Sequence, residues 1–207
     1  VDERLKCLAD KDYFENKYGV KDKGILLFAM GDGNHSLATA KACYENLKKE
    51  IGEKALSSKS RYALVELVNL HSDALEFEAI NRVIFNTDKD KLLNSLKEYY
   101  TINKEGNGQE FRVVTDSIDE AWYIENPKSN IAVGSIQMFL DDYLKDNVGK
   151  IDYIHGEDVT KSLASKDNNV GFIFDAMAKE DLFKTVILDG ALPRKTFSMG
   201  HANDKRY

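Results

Sequence analysis

The sequence predicts an α+β fold, in which strands and helices are interleaved without strict alternation. Three observations lead to this class. A nearly continuous apolar run at residues 24–30 is followed at once by a glycine-rich turn and a long helical pattern. Short strand-like segments come later in the chain, and amphipathic helical patterns separate them. We therefore expect a mixed sheet with helices, a strand–turn–helix element near the N-terminus and a smaller antiparallel region.

The first part of the chain contains two predicted strands with a long helix between them. Residues 2–18 have a helical pattern, and residues 24–30 form an apolar run that is typical of a buried central strand. The long helix extends from residue 36 to about residue 56, and residues 62–71 form the second strand. The predicted buried face of the long helix consists of residues at helical spacing, namely Leu37, Ala40, Tyr44, Leu47 and Ile51.

The rest of the chain contains shorter predicted elements. Residues 75–85 alternate in polarity until Asn81 and Arg82 interrupt the pattern, and residues 88–99 form an amphipathic helix. Residues 192–199 are predicted to be irregular. The remaining predicted strands cover residues 111–115, 121–124, 131–133, 150–155 and 170–175. The remaining predicted helices cover residues 137–146, 157–164 and 179–188.

The charge balance and the cysteine content limit the function classes. The chain of 207 residues carries a formal net charge of −6. A mildly acidic protein is not expected to bind nucleic acid broadly, whereas a small phosphate ligand needs only local amides and a few cations. Cys7 and Cys43 have no metal-binding spacing, which predicts a reduced, cytoplasmic protein. No segment has the length of a membrane span, so we expect no membrane partner.

The turn at residues 31–36 carries a dense group of functional side chains. Its sequence is Gly31-Asp32-Gly33-Asn34-His35-Ser36. The glycines and the helix N-terminus would hold phosphates, Asp32 would bind Mg²⁺ or orient an acceptor hydroxyl, and His35 would stabilise charge or move a proton. A purely structural turn, with Ser36 as the helix cap, is the alternative interpretation. Neither a cap nor a tight turn requires the histidine.

Other polar residues form weaker candidate sites. Glu66 lies within an apolar strand pattern and is a candidate metal ligand or general base. Asn69 and His71 lie on the opposite face of that strand, where a satisfied polar cluster is the simpler interpretation. Arg194 and Lys195 stand beside hydroxyl side chains and are able to bind an anion, although exposed surface charge is the default.

Several segments resemble one known family, in the same order along the chain. The turn with the start of its helix, Asp32-Gly33-Asn34-His35-Ser36-Leu37-Ala38-Thr39-Ala40-Lys41, resembles the central motif of the bacterial and archaeal family DUF1015. The segment Leu64-Val65-Glu66-Leu67-Val68-Asn69-Leu70-His71 is similar to the next strand of that family. Its later blocks are similar to Tyr153-Ile154-His155-Gly156 and to Leu192-Pro193-Arg194-Lys195-Thr196-Phe197-Ser198-Met199-Gly200.

The resemblance also implies a place in a longer chain. Members of the family are longer, and this sequence is similar to their C-terminal half. The absence of an initiator methionine before Val1 agrees with that expectation. We therefore expect residues 1–207 to form one α+β segment of a longer polypeptide, with the N-terminal half of the same polypeptide as a partner. A subdivision near residue 104, into a nucleotide-binding part (1–104) and a C-terminal α/β part (105–207), is an alternative.

The resemblance implies an activity as well. The DUF1015 turn is similar to the Asp-Gly-His-His-Arg turn of free-serine kinases with a ParB/sulfiredoxin-like fold, where the turn opens a helix and binds nucleotide phosphates. It thus implies an ATP-dependent, Mg²⁺-assisted kinase for a small hydroxy compound, with L-serine as the favoured acceptor. The phosphate and catalytic roles fall to Asp32, Gly33, Asn34 and His35.

The match to the kinase turn is incomplete at one position. Ser36 stands where the kinase turn has an arginine, which removes a fixed cation from the phosphate site. Arg82 and Lys195 are the candidates to supply that charge. Two other hypotheses stay open. The chain is alternatively a nucleotide-responsive regulatory or nucleic-acid-associated ParB-like module, or a non-catalytic half of a larger enzyme.

Overall fold

The computed structural model describes residues 2–31, 33–73 and 75–199. The chain forms two compact units, residues 1–72 and residues 73–207. Helices predominate in the first unit, and a sheet with helices forms the second, which confirms the predicted α+β class. The alternative boundary near residue 104 falls inside the second unit. In the described part of the chain, no helix is both long and apolar enough to cross a membrane.

The first unit consists of short helices and one long helix. A side-chain oxygen of Asp10 accepts a hydrogen bond from the backbone N–H of Tyr13 at 2.8 Å and so caps the second helix, which ends at Gly19 in the left-handed conformation. The α-helices of this unit are α1 (Asp2–Leu8), α2 (Lys11–Tyr18) and α3 (Asn34–Ile51). Two 3₁₀ helices, Gly52–Ser57 and Lys59–Arg61, follow α3.

The two strands predicted in the first unit are not formed. Residues 24–30 and 62–70 belong to no strand, and their apolar side chains are largely exposed, with Val65 63% and Leu67 65% accessible. An apolar segment becomes a strand only when another strand pairs with its backbone, and neither segment has such a partner among the described residues. Of the predicted strand–turn–helix element, the helix is therefore present and the strand is not.

The predicted buried face of the long helix is also wrong for this structure. No residue of α3 is fully buried, and only Tyr44 and Leu47 of the predicted face are half-buried. The helix begins at Asn34, two residues earlier than predicted. The apolar side chains of its amphipathic pattern are not buried. The first unit therefore exposes apolar side chains on α3 as well as on the two extended segments.

The second unit contains an antiparallel sheet of seven strands. The sheet order is β2-β4-β3-β6-β1-β5, and β7 pairs with residues 77–79 of β1. Every strand pairing in the described residues is antiparallel, so the expectation of a mixed sheet was wrong. The strands are β1 (Phe77–Phe85), β2 (Ile102–Asn103), β3 (Gln109–Val114), β4 (Asp119–Ile124), β5 (Lys150–His155), β6 (Val170–Ile173) and β7 (Phe197–Met199). The helices are α4 (Lys89–Tyr99), α5 (Ala132–Asp146), α6 (Glu157–Ala164) and α7 (Lys179–Asp189).

The main core lies on one face of this sheet. Alternate residues of β1, β3 and β6 pack there against α4 and α5, because successive side chains of a strand point to opposite faces. The opposite face is covered by α6, which packs on β1 and β6. The central residues of the main core are Ile84, Leu92, Leu96, Phe111, Trp122, Phe139, Leu140 and Phe172.

Three details of the second unit differ from the sequence prediction. Residues 131–133 are not a strand, because α5 begins at Ala132 with Ile131 as its extended N-cap residue. Asn81 and Arg82 do not interrupt β1: both pair with β5, and Arg82 also pairs with β6. The C-terminal segment that was predicted to be irregular contains a strand, β7.

Gly171 determines how closely α6 approaches the sheet. A Cβ atom at this position would lie 2.7 Å from the Cβ of Ala164 on α6. We expect Gly171→Ala to lower the free energy of unfolding by about 1–3 kcal/mol. The added methyl group would overlap the Cβ of Ala164, and neither the β6 backbone nor α6 is able to move apart without losing packing. Urea unfolding followed by the fluorescence of the single tryptophan, Trp122, measures this change. Gly24→Ala is the control, since open space surrounds that position. Equal stability of the two variants would contradict the prediction.

Candidate functional site

The predicted phosphate site lies at the start of α3. Gly33 is the N-cap residue in the left-handed conformation, with φ 76° and ψ 16°, and its carbonyl accepts the first helical hydrogen bond, from the N–H of Leu37, at 2.9 Å. Asn34, His35 and Ser36 follow in the first turn and are all exposed. Ser36 therefore lies inside the helix, so the alternative in which it caps α3 is wrong. Asp32 lies outside the described residues.

The first turn of α3 suits an anion by its charge. It contains no acidic side chain, in contrast to the first turns of α2, α4, α6 and α7. Carboxylates normally occupy that position because the helix N-terminus has a partial positive charge. The first turn of α5 also lacks an acidic residue, but it is largely buried. Among α2 to α7, only α3 therefore combines an exposed first turn with the absence of a carboxylate in it.

Glu66 lies in the same unit but in the extended segment after the 3₁₀ helices. It is exposed, and among the described residues no hydrogen bond or ion pair joins it to His35 or Ser36. The side chain of Asn69 accepts a hydrogen bond from the N–H of His71 at 3.1 Å, which gives this pair a structural role. No group of three or more His, Cys, Asp or Glu side chains able to hold a metal occurs within the described ranges. The catalytic assignment of Asp32, His35 and Glu66, and that of Asp32 and Glu66 as metal ligands, stays a prediction.

The two predicted countercharges lie in the second unit and differ in exposure. Lys195 is exposed and adopts a left-handed conformation, with φ 56°. Arg82 is fully buried, with 0% of its surface accessible, at the centre of β1. Burial lowers the pKa of Arg82 to about 10, because the charged guanidinium is removed from water. Their assignment as phosphate-binding cations stays a prediction.

Arg82 belongs to a closed ring of hydrogen bonds that the sequence did not indicate. Its Nε donates to Oε1 of Gln137 at 3.2 Å, and its Nη2 donates to the main-chain oxygen of Arg194 at 3.1 Å. Gln137 Nε2 donates to Oδ1 of Asp141 at 2.8 Å, and Arg194 Nη2 donates to the same oxygen at 3.1 Å. The ring of Tyr153 lies 5.2 Å from the guanidinium of Arg82, within cation–π distance. We call Arg82, Gln137, Asp141 and Arg194 the arginine ring.

A cavity of about 860 Å³ adjoins the arginine ring. Three members of the ring line it, all except Arg82. The only sequence signal for this site is Gln137, a buried polar residue among the apolar positions of α5. The periodicity of a helix does not show which distant groups form hydrogen bonds with such a residue. The rest of the lining comes from the loop before α5, from α5 itself and from residues 188–193, and includes Lys128, Ser129, Met138, Leu188 and Pro193.

A family model described as "Protein of unknown function (DUF1015)" matches residues 11–143. The chain belongs to the DUF1015 family. The matched residues include the turn, α3 and the sheet as far as α5, whereas the blocks at residues 153–156 and 192–200 lie beyond them. The comparison with curated proteins and the comparison with solved structures each gave no match. Membership confirms the resemblance to DUF1015. The family description names no activity, so the resemblance of the turn to that of free-serine kinases, and the activity it implies, stay predictions.

Arg82→Ala tests the structural role of the arginine ring. We expect this change to lower the free energy of unfolding by about 3–5 kcal/mol, because it creates a cavity and leaves two buried acceptors, Gln137 Oε1 and the main-chain oxygen of Ile80, without this donor. Arg112→Ala is the matched control, since Arg112 lies in the same sheet and forms an exposed ion pair with Asp119, of the kind that contributes about 0–1 kcal/mol. Urea unfolding monitored through Trp122 compares them. Similar losses in both variants would show that the ring is not needed for the fold.

Proposed function

We propose that this DUF1015 protein is an ATP-dependent phosphotransferase for a small hydroxy compound, with free L-serine as the preferred acceptor. The observation that carries the proposal is the exposed first turn of α3, which begins at left-handed Gly33 and contains no carboxylate. Phosphoryl transfer requires mainly positioning and charge neutralisation, and a helix N-terminus contributes both. The resemblance of the turn to that of free-serine kinases supplies the reaction and the acceptor.

The residues of the turn have distinct roles in this proposal. The backbone at Gly31 and Gly33, with the side chains of Asn34 and Ser36, would hold the phosphates. His35, exposed beside them, would stabilise charge or transfer a proton at the acceptor hydroxyl. Asn34, His35 and Ser36 are consecutive on the first turn of one rigid helix, so their positions are fixed relative to each other.

Magnesium fits the donor chemistry of the proposed site. Mg²⁺ usually binds one or two carboxylates together with substrate phosphates and water, so a cluster of three protein ligands is not needed. Asp32 and Glu66 are the proposed carboxylate ligands of the ion. The side chain of Glu66 is exposed and therefore available to bind it. When bound with the nucleotide, the ion would neutralise phosphate charge.

The exposed apolar segments of the first unit support a protein partner. Residues 24–30 and 62–70 have strand-like sequences but no strand partner among the described residues. We propose that the N-terminal half of a longer polypeptide pairs with them, as the resemblance implies. A reducing, cytoplasmic location belongs to the same proposal, because Cys7 and Cys43 are both free thiols.

Nucleotide binding is the first test of the proposal. We expect calorimetry with ATP and Mg²⁺ to show binding that weakens at least about tenfold in His35→Ala, as loss of a hydrogen bond to a charged ligand predicts. His155→Ala is the control, because His155 is another exposed histidine near a helix start with a glycine N-cap, that of α6, whose first turn carries Glu157 and Asp158. Binding that is equal in both variants, or absent in the wild type, would contradict the proposed site.

Turnover is the second test. We expect ADP release that depends on L-serine, with phosphoserine as product, and a decrease in kcat of about 10²-fold or more in His35→Ala if that residue acts in proton transfer. Nucleotide binding without turnover, combined with DNA binding that falls steeply with salt, would instead favour the regulatory module. Turnover only after addition of the N-terminal half would identify this chain as one half of the enzyme.

A further inference from the structure

The cavity beside the arginine ring has the composition of a ligand site. Its volume, about 860 Å³, lies within the range of small-molecule pockets. One wall is formed by Gln137, Asp141 and Arg194, whose positions are fixed by hydrogen bonds to buried Arg82 or to each other. Such a wall is preorganised, because its side chains are already ordered when the protein folds, so that ordering them takes little free energy from ligand binding.

The polar groups of the wall retain the capacity to bind an anion. Within the described residues, one N–H of Nη2 makes the only side-chain hydrogen bond of Arg194, so the second N–H of Nη2 remains as a donor together with Nε or Nη1 on one edge of the guanidinium. A guanidinium with two parallel N–H groups matches the two oxygens of a carboxylate. Asp189, by contrast, is already occupied: its Oδ2 accepts from Ser129 Oγ at 2.8 Å and from the N–H of Asn130 at 2.7 Å.

The net charge around the cavity favours a ligand that carries one negative charge. Two cations, Arg194 and Lys128, and two carboxylates, those of Asp141 and Asp189, line the cavity, and the buried guanidinium of Arg82 lies behind its wall in the arginine ring. This balance leaves one positive charge. A monoanion would neutralise it, whereas a dianion would add uncompensated negative charge close to Asp141.

Apolar side chains complete the cavity. Met138 and Leu188 line it and are among the exposed large hydrophobic residues of the chain, at 42% and 41% accessible. Ala191 and Pro193 extend the same apolar lining. A ligand that covers these side chains gains the free energy of removing apolar surface from water.

We propose that this cavity binds a small aliphatic monocarboxylate. The carboxylate pairs with the unused edge of Arg194, and the hydrocarbon part covers Met138 and Leu188. Arg82 is a positioning residue, because it holds the main chain at Arg194 and the amide of Gln137 without lining the cavity. The site lies within the second unit, and it does not depend on the proposed kinase activity.

Hexanoate is a suitable probe for the whole chain, in calorimetry without nucleotide. We expect saturable binding that weakens at least about tenfold in Arg194→Gln, through loss of a charge-assisted pair. The Arg194 side chain is 64% accessible and its main-chain oxygen is retained, so this variant keeps the bond to Arg82. Lys145→Gln is the control, because it removes a cation from the exposed part of α5 that pairs with Asp142.

Three comparisons decide the ligand class. Hexanamide, which has the same shape without the charge, should bind more weakly than hexanoate. Succinate and inorganic phosphate should also bind more weakly to the wild type, and Asp141→Asn should improve succinate binding, a gain that misfolding cannot produce.

Equal binding of hexanamide, tighter binding of succinate or phosphate to the wild type, or no saturable hexanoate binding would each overturn the proposal. Because no nucleotide is present, these outcomes are distinguishable from failure of the kinase proposal.

Discussion

The second unit is organised around a charged group that has been removed from water, the guanidinium of Arg82. Removing an ion from water is costly unless its hydrogen bonds are replaced. The replacements come from three places: the main chain of β1 at Ile80, the side chain of Gln137 on α5, and the main chain at Arg194 before β7. Loss of any one acceptor would leave a buried donor unpaired, so Arg82 fixes the rotation of α5 and the path of the C-terminal segment together.

Asn81 has a comparable role on the opposite face of the same strand. Its Nδ2 donates to Oγ1 of Thr160 on α6 at 3.1 Å, and its Oδ1 accepts from the N–H of Phe174 at 3.2 Å. Two consecutive polar residues of β1 therefore attach the layers on both sides of the sheet. Hydrogen bonds of this kind are directional, whereas apolar contacts are not. This is why the side chains of Asp141 and Arg194 have defined positions at the edge of the cavity.

The sequence predicts those parts of the fold that depend on local pattern. The helices α4, α6 and α7 and the strands β5 and β6 occur close to their predicted positions, because periodicity and turn residues lie within each segment. Asn81 and Arg82 were misinterpreted because their partners, Thr160 and Gln137, are far away in sequence. The start of α5 was placed too late for a similar reason, since the apolar residues at its N-terminal end also fit a short strand.

The candidate sites also differ in whether local sequence pattern predicts them. The turn before α3 was predicted from adjacent residues, and the structure places Gly33 at the N-cap of that helix and His35 within its first turn, one residue before the predicted start. The arginine ring was missed because its members come from β1, α5 and the segment before β7, which only the tertiary fold brings together. The strands at residues 24–30 and 62–71 are the opposite case: their pattern is local, but a strand also requires a pairing partner, which no local pattern reports.

The proposed nucleotide site and the uncovered apolar segments belong to the same unit, and this has a thermodynamic consequence. Residues 24–30 lead directly into the turn, because Met30 precedes Gly31. A strand that pairs with this segment would restrict the backbone on one side of the turn, while α3 restricts it on the other. If ordering the turn favours the nucleotide, then the nucleotide must favour the pairing to the same extent, since such coupling is reciprocal. The affinity of this chain alone for the nucleotide is then lower than its affinity with such a strand paired, because part of the binding free energy is used to order the turn.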